Sequence, residues 1–155
     1  PRTRYEMDFP QHANFGNATF AQDADFSKAT FTAHVGFYKA TFAGAVSFNG
    51  ANFEGAYFAD ATFGQKADFR QTSFAYVEPS FEALDRRLQR ARFSTQADPQ
   101  GYLFEARPES PHGFSCGEAT LLNRTFILPV GAVLYDPDSW DEEKQEYTRL
   151  SEPAQ

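Results

Sequence analysis

Apolar positions in the first half of the chain recur on a beat that neither a helix nor a strand produces. In "ATFAQDADFSKATFTAHVGFYKATF", residues 18–42, phenylalanine returns every five or six residues with alanine or valine two places before it. Helices repeat near 3.6 residues and strands at 2, so this period belongs to a chain that turns a corner after each short extended stretch. The central residues are Phe15, Phe20, Phe26, Phe31, Phe37, Phe42, Phe48, Phe53, Phe58, Phe63, Phe69 and Phe74. Steps alternate five and six, except for a five between Phe53 and Phe58. Residues two apart on a strand share a face, so alanine and phenylalanine point inward while the small polar residue between them points out. Four such sides make a square coil of about 20 to 22 residues, stacked at about 4.8 Å. Twelve units over residues 13–76 predict about three coils.

The segments "ANFEG", "ADFSK" and "ADFRQ" follow the order alanine, Asp or Asn, large apolar residue and two variable positions, and "ATFAG" departs only by threonine. This resembles the pentapeptide-repeat family. The resemblance implies a right-handed quadrilateral β-helix, and the whole chain is expected to be mainly β with a helix-containing C-terminal segment. Two departures stand out. Phenylalanine occupies every centre where leucine is frequent, which suggests a wide aromatic interior, and alternate units carry a sixth residue, which places one-residue bulges at two opposite corners.

Bare solenoid ends are exposed strand edges and call for covers. Residues 1–12, with "YEMDFPQH", are expected to cap the lower end. Residues 77–94 read as a capping helix, because Pro79 and Ser80 suit its start and Phe81, Leu84, Leu88 and Ala91 recur on one face. Glu82 and Arg86 are spaced for an i,i+4 pair on it. In residues 95–155, Tyr102 to Ala106 reads as a short strand, and "ATLLNRTFILPVGAVLY" as one or two more, interrupted at Pro129 and Gly131. "DSWDEEKQEYTRL" reads as a terminal helix with Ser139 and Glu142 as a capping box.

Composition narrows the function classes. One cysteine, Cys116, excludes an internal disulfide framework and a cysteine-rich zinc site, and favours a reduced, cytoplasmic setting. The longest apolar run, Phe126 to Tyr135, contains Pro129 and falls short of the roughly 20 residues a spanning helix needs, so no membrane segment is expected. The chain opens at Pro1 without a charged-then-apolar leader, so no signal peptide is expected. Of the net charge of −7, residues 136–155 carry −5, an acidic tail that disfavours direct nucleic-acid binding.

Chemistry-bearing motifs are sparse. "GFSCG", residues 113–117, matches a nucleophile elbow centred on Ser115, but that mechanism needs a downstream histidine, and His12, His34 and His112 are all upstream. Cys116 and His112 have i,i+4 spacing, yet Pro111, Gly113 and Gly117 argue against a helix there. His34 falls at a corner, where a solvent-facing role is expected. No catalytic residue, cofactor or metal is assigned.

Two surfaces carry more. Thr19, Ala21, Thr41, Ala43, Thr62 and Gly64 fall on one side, which is small, flat and almost uncharged, and suits self-association or a docked protein partner. The opposite side gathers Asp25, Ser27, Ser47, Asn49, Asp68 and Arg70. Arg86, Arg87, Arg90 and Arg92 are expected on the exposed face of the capping helix, open to an acidic partner or the acidic tail. The leading reading is a non-enzymatic interaction or scaffold module. The alternative implied by the resemblance is a DNA-mimic protein that binds a type II topoisomerase, and a third class is an enzyme active in residues 95–155.

Overall fold

A computed structural model describes residues 2–4, 8–9, 11–84 and 88–155. Four parallel sheets form the sides of a β-solenoid of about three turns. The first side stacks Arg2–Arg4, Asp23–Asp25, Val46–Ser47, Ala67–Asp68 and Tyr102–Leu103, and the second Asp8–Phe9, Thr30–Phe31, Asn52–Phe53 and Ser73–Phe74. Ala13–Asn14, Val35–Gly36 and Ala56–Tyr57 make the third. The fourth contains Thr19–Phe20, Thr41–Phe42, Thr62–Phe63, Arg92–Ser94 and Val133–Tyr135. Strands of two residues suffice because each is hydrogen-bonded to the coils above and below, and no coil could bury its inward face alone.

Alternate corners are built differently, and the difference explains the polar slot before each phenylalanine. After the first and third sides the turn closes in two residues, and Asn17, Lys28, Lys39, Gly50, Asp60 and Gln71 take φ between 57° and 73°. The following alanine N–H returns to the phenylalanine carbonyl, as Ala29 does to Phe26 at 3.1 Å. At four of these six turns the slot holds Asn14, Asp25, Ser47 or Asp68, and each side-chain oxygen accepts the N–H two residues on, at 2.8 to 3.2 Å; Gly36 and Tyr57 fill the slot at the other two. Short polar side chains are chosen there because they alone reach that donor. The other corners are longer, need no such acceptor, and follow strands whose slot is Thr19, Thr30, Thr41 or Thr62.

Inside, phenylalanine rings stack into four columns. They are Phe26, Phe48, Phe69 and Phe104; Phe9, Phe31, Phe53 and Phe74; Phe15, Phe37, Phe58 and Phe81; and Phe20, Phe42, Phe63 and Phe93. Centroids within a column lie 4.6 to 5.4 Å apart, and between columns rings meet edge to face, as Phe48 and Phe58 do, or tilted, as Phe48 and Phe53 are. Both are preferred aromatic geometries. In-register parallel strands enforce the stack, since each ring lies one coil above its predecessor.

Four columns of this depth extend beyond residues 13–76 in both directions. Phe9 stacks on Phe31 at 4.7 Å, so Asp8–Phe9 forms a further side of the solenoid instead of a cap; Tyr5 to Met7 and Pro10 lie outside the described residues. Above, Phe81, Phe93 and Phe104 continue three columns.

The expected helices are absent among the described residues, which hold no α-helix. Glu82–Leu84 and Leu88–Arg90 form an antiparallel hairpin, its base closed by Ala91 N–H donating to Phe81. Glu82 accordingly pairs with Arg90 across the strands. "DSWDEEKQEYTRL" is likewise a hairpin, Trp140–Asp141 with Glu146–Tyr147, and Ser139 receives the Thr148 N–H at 2.9 Å instead of capping a helix. Helical spacing in the first segment yields to stacking, which carries the chain from the column of Phe81 to that of Phe93.

The strand expectations fare better. Tyr102–Leu103 continues the first side and Ala106 bridges Thr72. Cys116–Leu121 and Arg124–Pro129 form the long hairpin, turning at Leu122 and Asn123 with φ of 53° and 62°, the type I′ signature. Ala119, Phe126 and Leu128 on it are buried in the main core, so a hairpin covers the upper end where a helix was expected. The acidic segment is folded too: Ala154 is buried, its N–H donating to Ala132 at 2.8 Å, and Gln155 pairs with Glu118.

Candidate functional site

Thr19, Thr41 and Thr62 stand in register one above another on the fourth side, and the same side carries Ala21, Ala43 and Gly64 two residues on. All six candidate positions are therefore brought together. Thr19, Ala21 and Ala43 are exposed, Thr41 and Gly64 half-buried, and Thr62 buried.

Thr62 is covered because the next coil places Arg92 over it. Arg92 Nε donates to Thr62 Oγ1 at 3.0 Å, Nη2 to the Asp60 carbonyl at 2.9 Å, and Nη1 to the Asp60 carboxylate. A planar guanidinium satisfies all three acceptors at once, so the cation is spent on the corner below it.

Higher still, residues 135–147 fold out as a wall. Tyr135, Pro137 and Tyr147 face the floor of Thr41, Ala43 and Gly64 across an open cleft of about 400 Å³. Tyr135 and Tyr147 have ring centroids 4.4 Å apart, and Trp140 packs on Tyr147 at 4.9 Å. Burial pushes the Tyr135 hydroxyl well above its ordinary value, keeping the lining neutral. Gly64 keeps the floor low here: a Cβ would lie 3.3 Å from the Phe42 carbonyl, a tight contact. The sequence signal for the wall was present in Trp140 and Tyr147 but was absorbed into a helical reading.

The polar set expected opposite the docking side lies instead on the first side, which follows the fourth directly along the chain and adjoins it, and it is less solvated than expected. Asp25 is buried, its carboxylate accepting the Ser27 N–H at 2.9 Å and the Ser27 hydroxyl. Asp68 holds Arg70 by two bonds of 3.0 Å and receives Asn49 at 3.3 Å.

The basic candidates do not assemble as an exposed face. Arg90 binds Glu82 and the Gly131 carbonyl, and Arg92 binds Asp60, so neither meets the acidic segment, whose Asp136 pairs with Arg149. Arg86 and Arg87 lie outside the described residues.

Ser115 sits in a loop whose carbonyl accepts the Val130 N–H, and the chain then enters an antiparallel hairpin, so no strand-turn-helix elbow surrounds it. Cys116 starts that hairpin, and burial pushes its thiol pKa up, away from the nucleophilic thiolate. His34 is more engaged than a solvent-facing corner residue. It stacks on His12 at 5.8 Å and bonds the Tyr57 hydroxyl at 2.9 Å, below Gly55, where a side chain would collide with it. Among the described residues no group of three or more His, Cys, Asp or Glu side chains could hold a metal ion. No helix among them is long and apolar enough to cross a membrane.

A family model described as pentapeptide repeats (9 copies) matches residues 29–73. No curated protein and no solved structure matches the chain.

Proposed function

We propose, from the match of residues 29–73 to the pentapeptide-repeat model, that the chain is a non-catalytic interaction module that docks a protein partner on its fourth side. One observation carries the reading: Thr19, Thr41 and Thr62 are stacked in register beside Ala21, Ala43 and Gly64, giving an uncharged surface bounded above by an aromatic wall. A flat floor with a concave end suits association, since anchor residues of a partner concentrate their energy in a desolvated pocket. The DNA-mimic alternative has less support, because the net negative charge gathers in residues 136–155, while the carboxylates of the stacked sides are nearly balanced by lysine and arginine.

Thr19→Arg and Thr41→Arg test it. Each places a long cation on the floor while leaving the inward phenylalanines untouched. In affinity capture paired with light scattering, a stoichiometric partner or a second copy should be present with the native chain and lost with both variants. Retention of the same assembly by both variants overturns the proposal.

A further inference from the structure

The cleft between the floor and the residue 135–147 wall has two chemically distinct parts. Its lining is uncharged, and the Thr41 hydroxyl and Gln65 amide that face it have no hydrogen-bond partner among the described residues. Its lip is strongly anionic. Residues 136–149 hold six carboxylates against Lys144 and Arg149, and Arg149 is already bound to Asp136. Glu143 and Glu146 make no ion pair among the described residues.

Within that lip Trp140, the only tryptophan of the chain, is 44% exposed. Its indole N–H is directed to Glu142 at 3.1 Å and its ring edge is held by Tyr147. An exposed indole fixed among carboxylates is a receptor for a cation, which gains from the ring quadrupole and the negative charge together. A phosphate or other anion is repelled by the same lip. The neutral cleft is wide enough for one or two uncharged side chains, and its aromatic wall favours apolar ones.

We infer that the cleft seats an apolar side chain of an extended basic peptide on a partner protein, with the peptide's arginine or lysine lying on Trp140 beside Glu142. This rests on the reading of the fourth side as a docking surface and names the chemistry of what docks there. Tyr147, Gln65 and Thr41 receive the anchor residue; Trp140 and the carboxylates of the lip select the charge.

Selection of a phage-displayed random dodecapeptide library on the full chain, depleted against Trp140→Ala, tests the inference. The expected winners carry a net positive charge next to an apolar residue. As synthetic peptides measured by fluorescence polarisation, they should lose about two- to fivefold in affinity to Trp140→Ala, the worth of one exposed cation–π contact, and a comparable factor to Tyr147→Ala, which removes the seat of the anchor. Glu143→Lys with Glu146→Lys should weaken them in a salt-dependent manner. Far-UV dichroism and melting of each variant separate lost binding from lost fold. Neutral or acidic winners, no enrichment at all, or winners indifferent to Trp140 and Tyr147 in folded variants overturn the inference. If the inference falls while Thr41→Arg still abolishes partner capture, the docking reading stands alone. If basic peptides bind as stated while both floor variants retain the partner, the docking reading falls instead.

Discussion

Phe93 lies 4.6 Å above Phe63 with the two rings 4° from parallel, although a hairpin and a whole coil of sequence separate them. The tightest stack in that column thus joins the recognisable repeat to the part of the chain where the repeat is no longer read. Phe93 is fully buried, as is Phe48 at the centre of the solenoid. Phe93→Ala and Phe48→Ala should each cost about 3 to 5 kcal/mol, the range for a truncated buried phenylalanine. Urea unfolding followed by dichroism measures both. A cost under about 1 kcal/mol at Phe93 with the full cost at Phe48 would mean that the cooperative unit ends near residue 76.

Much of this was legible in advance. The alternation of Ala-x-Phe triplets determines which faces point inward, and twelve of the stacked rings follow from it directly. "ARF" at residues 91–93 is another such triplet, but the apolar spacing of Phe81, Leu84, Leu88 and Ala91 suggests a helix, and strong helix formers fill the gaps. Local propensity loses here because Phe81 and Phe93 must reach different columns, and their stacking outweighs one helix's hydrogen bonds. The docking side was legible as a row of small residues. Its wall was not, since nothing local in "DSWDEEKQEY" says that Tyr147 will fold back beside Tyr135.

Arg92 ties the fourth side to the corner below through one hydroxyl, one carboxylate and one carbonyl. Arg92→Ala should destabilise the chain by about 2 to 3 kcal/mol, because Asp60 is left with an unmatched, half-buried charge. Arg92→Lys should recover less than half, since an ammonium cannot address all three acceptors. Thermal melts of the two variants decide this, and full recovery by lysine would show that only charge matters there.

At the short corners the left-handed position holds Lys39 with φ 57° and Gly50 with φ 73°. A residue with a Cβ pays about 1 to 2 kcal/mol in that conformation. Gly50→Ala should therefore lower stability by about 1 kcal/mol, and Lys39→Gly should raise it by about 0.5 kcal/mol after the extra chain entropy of glycine is subtracted. Chemical denaturation of both variants should give opposite signs; equal signs would contradict the corner geometry.

Burial pushes the Asp68 carboxyl up, and the side-chain and backbone N–H donors of Arg70 outweigh it, leaving the pKa below its usual 3.8. A depressed carboxylate stabilises the fold above the unfolded pKa and loses that contribution as pH falls through the folded one. Arg70 is half exposed, so solvent screening keeps the effect small. The stability gap between the native chain and Asp68→Asn should be constant near neutrality and close below about pH 3.8. Melting temperatures of both proteins taken across the acid range measure it, and a gap that widens on acidification would contradict the assignment.

The residue 82–90 excursion leaves and rejoins the coil at a corner. The base of the residue 82–90 hairpin is clasped by the Phe81 carbonyl and the Ala91 N–H, and the side that follows resumes its register over Thr62 as though nothing had intervened. Chain length at a corner is thus uncoupled from the pitch of the stack. The molecule is a display frame: a foreign segment grafted between Phe81 and Ala91 should ride outside the aromatic columns, with each doubling of its length costing only about 0.6 kcal/mol of closure entropy.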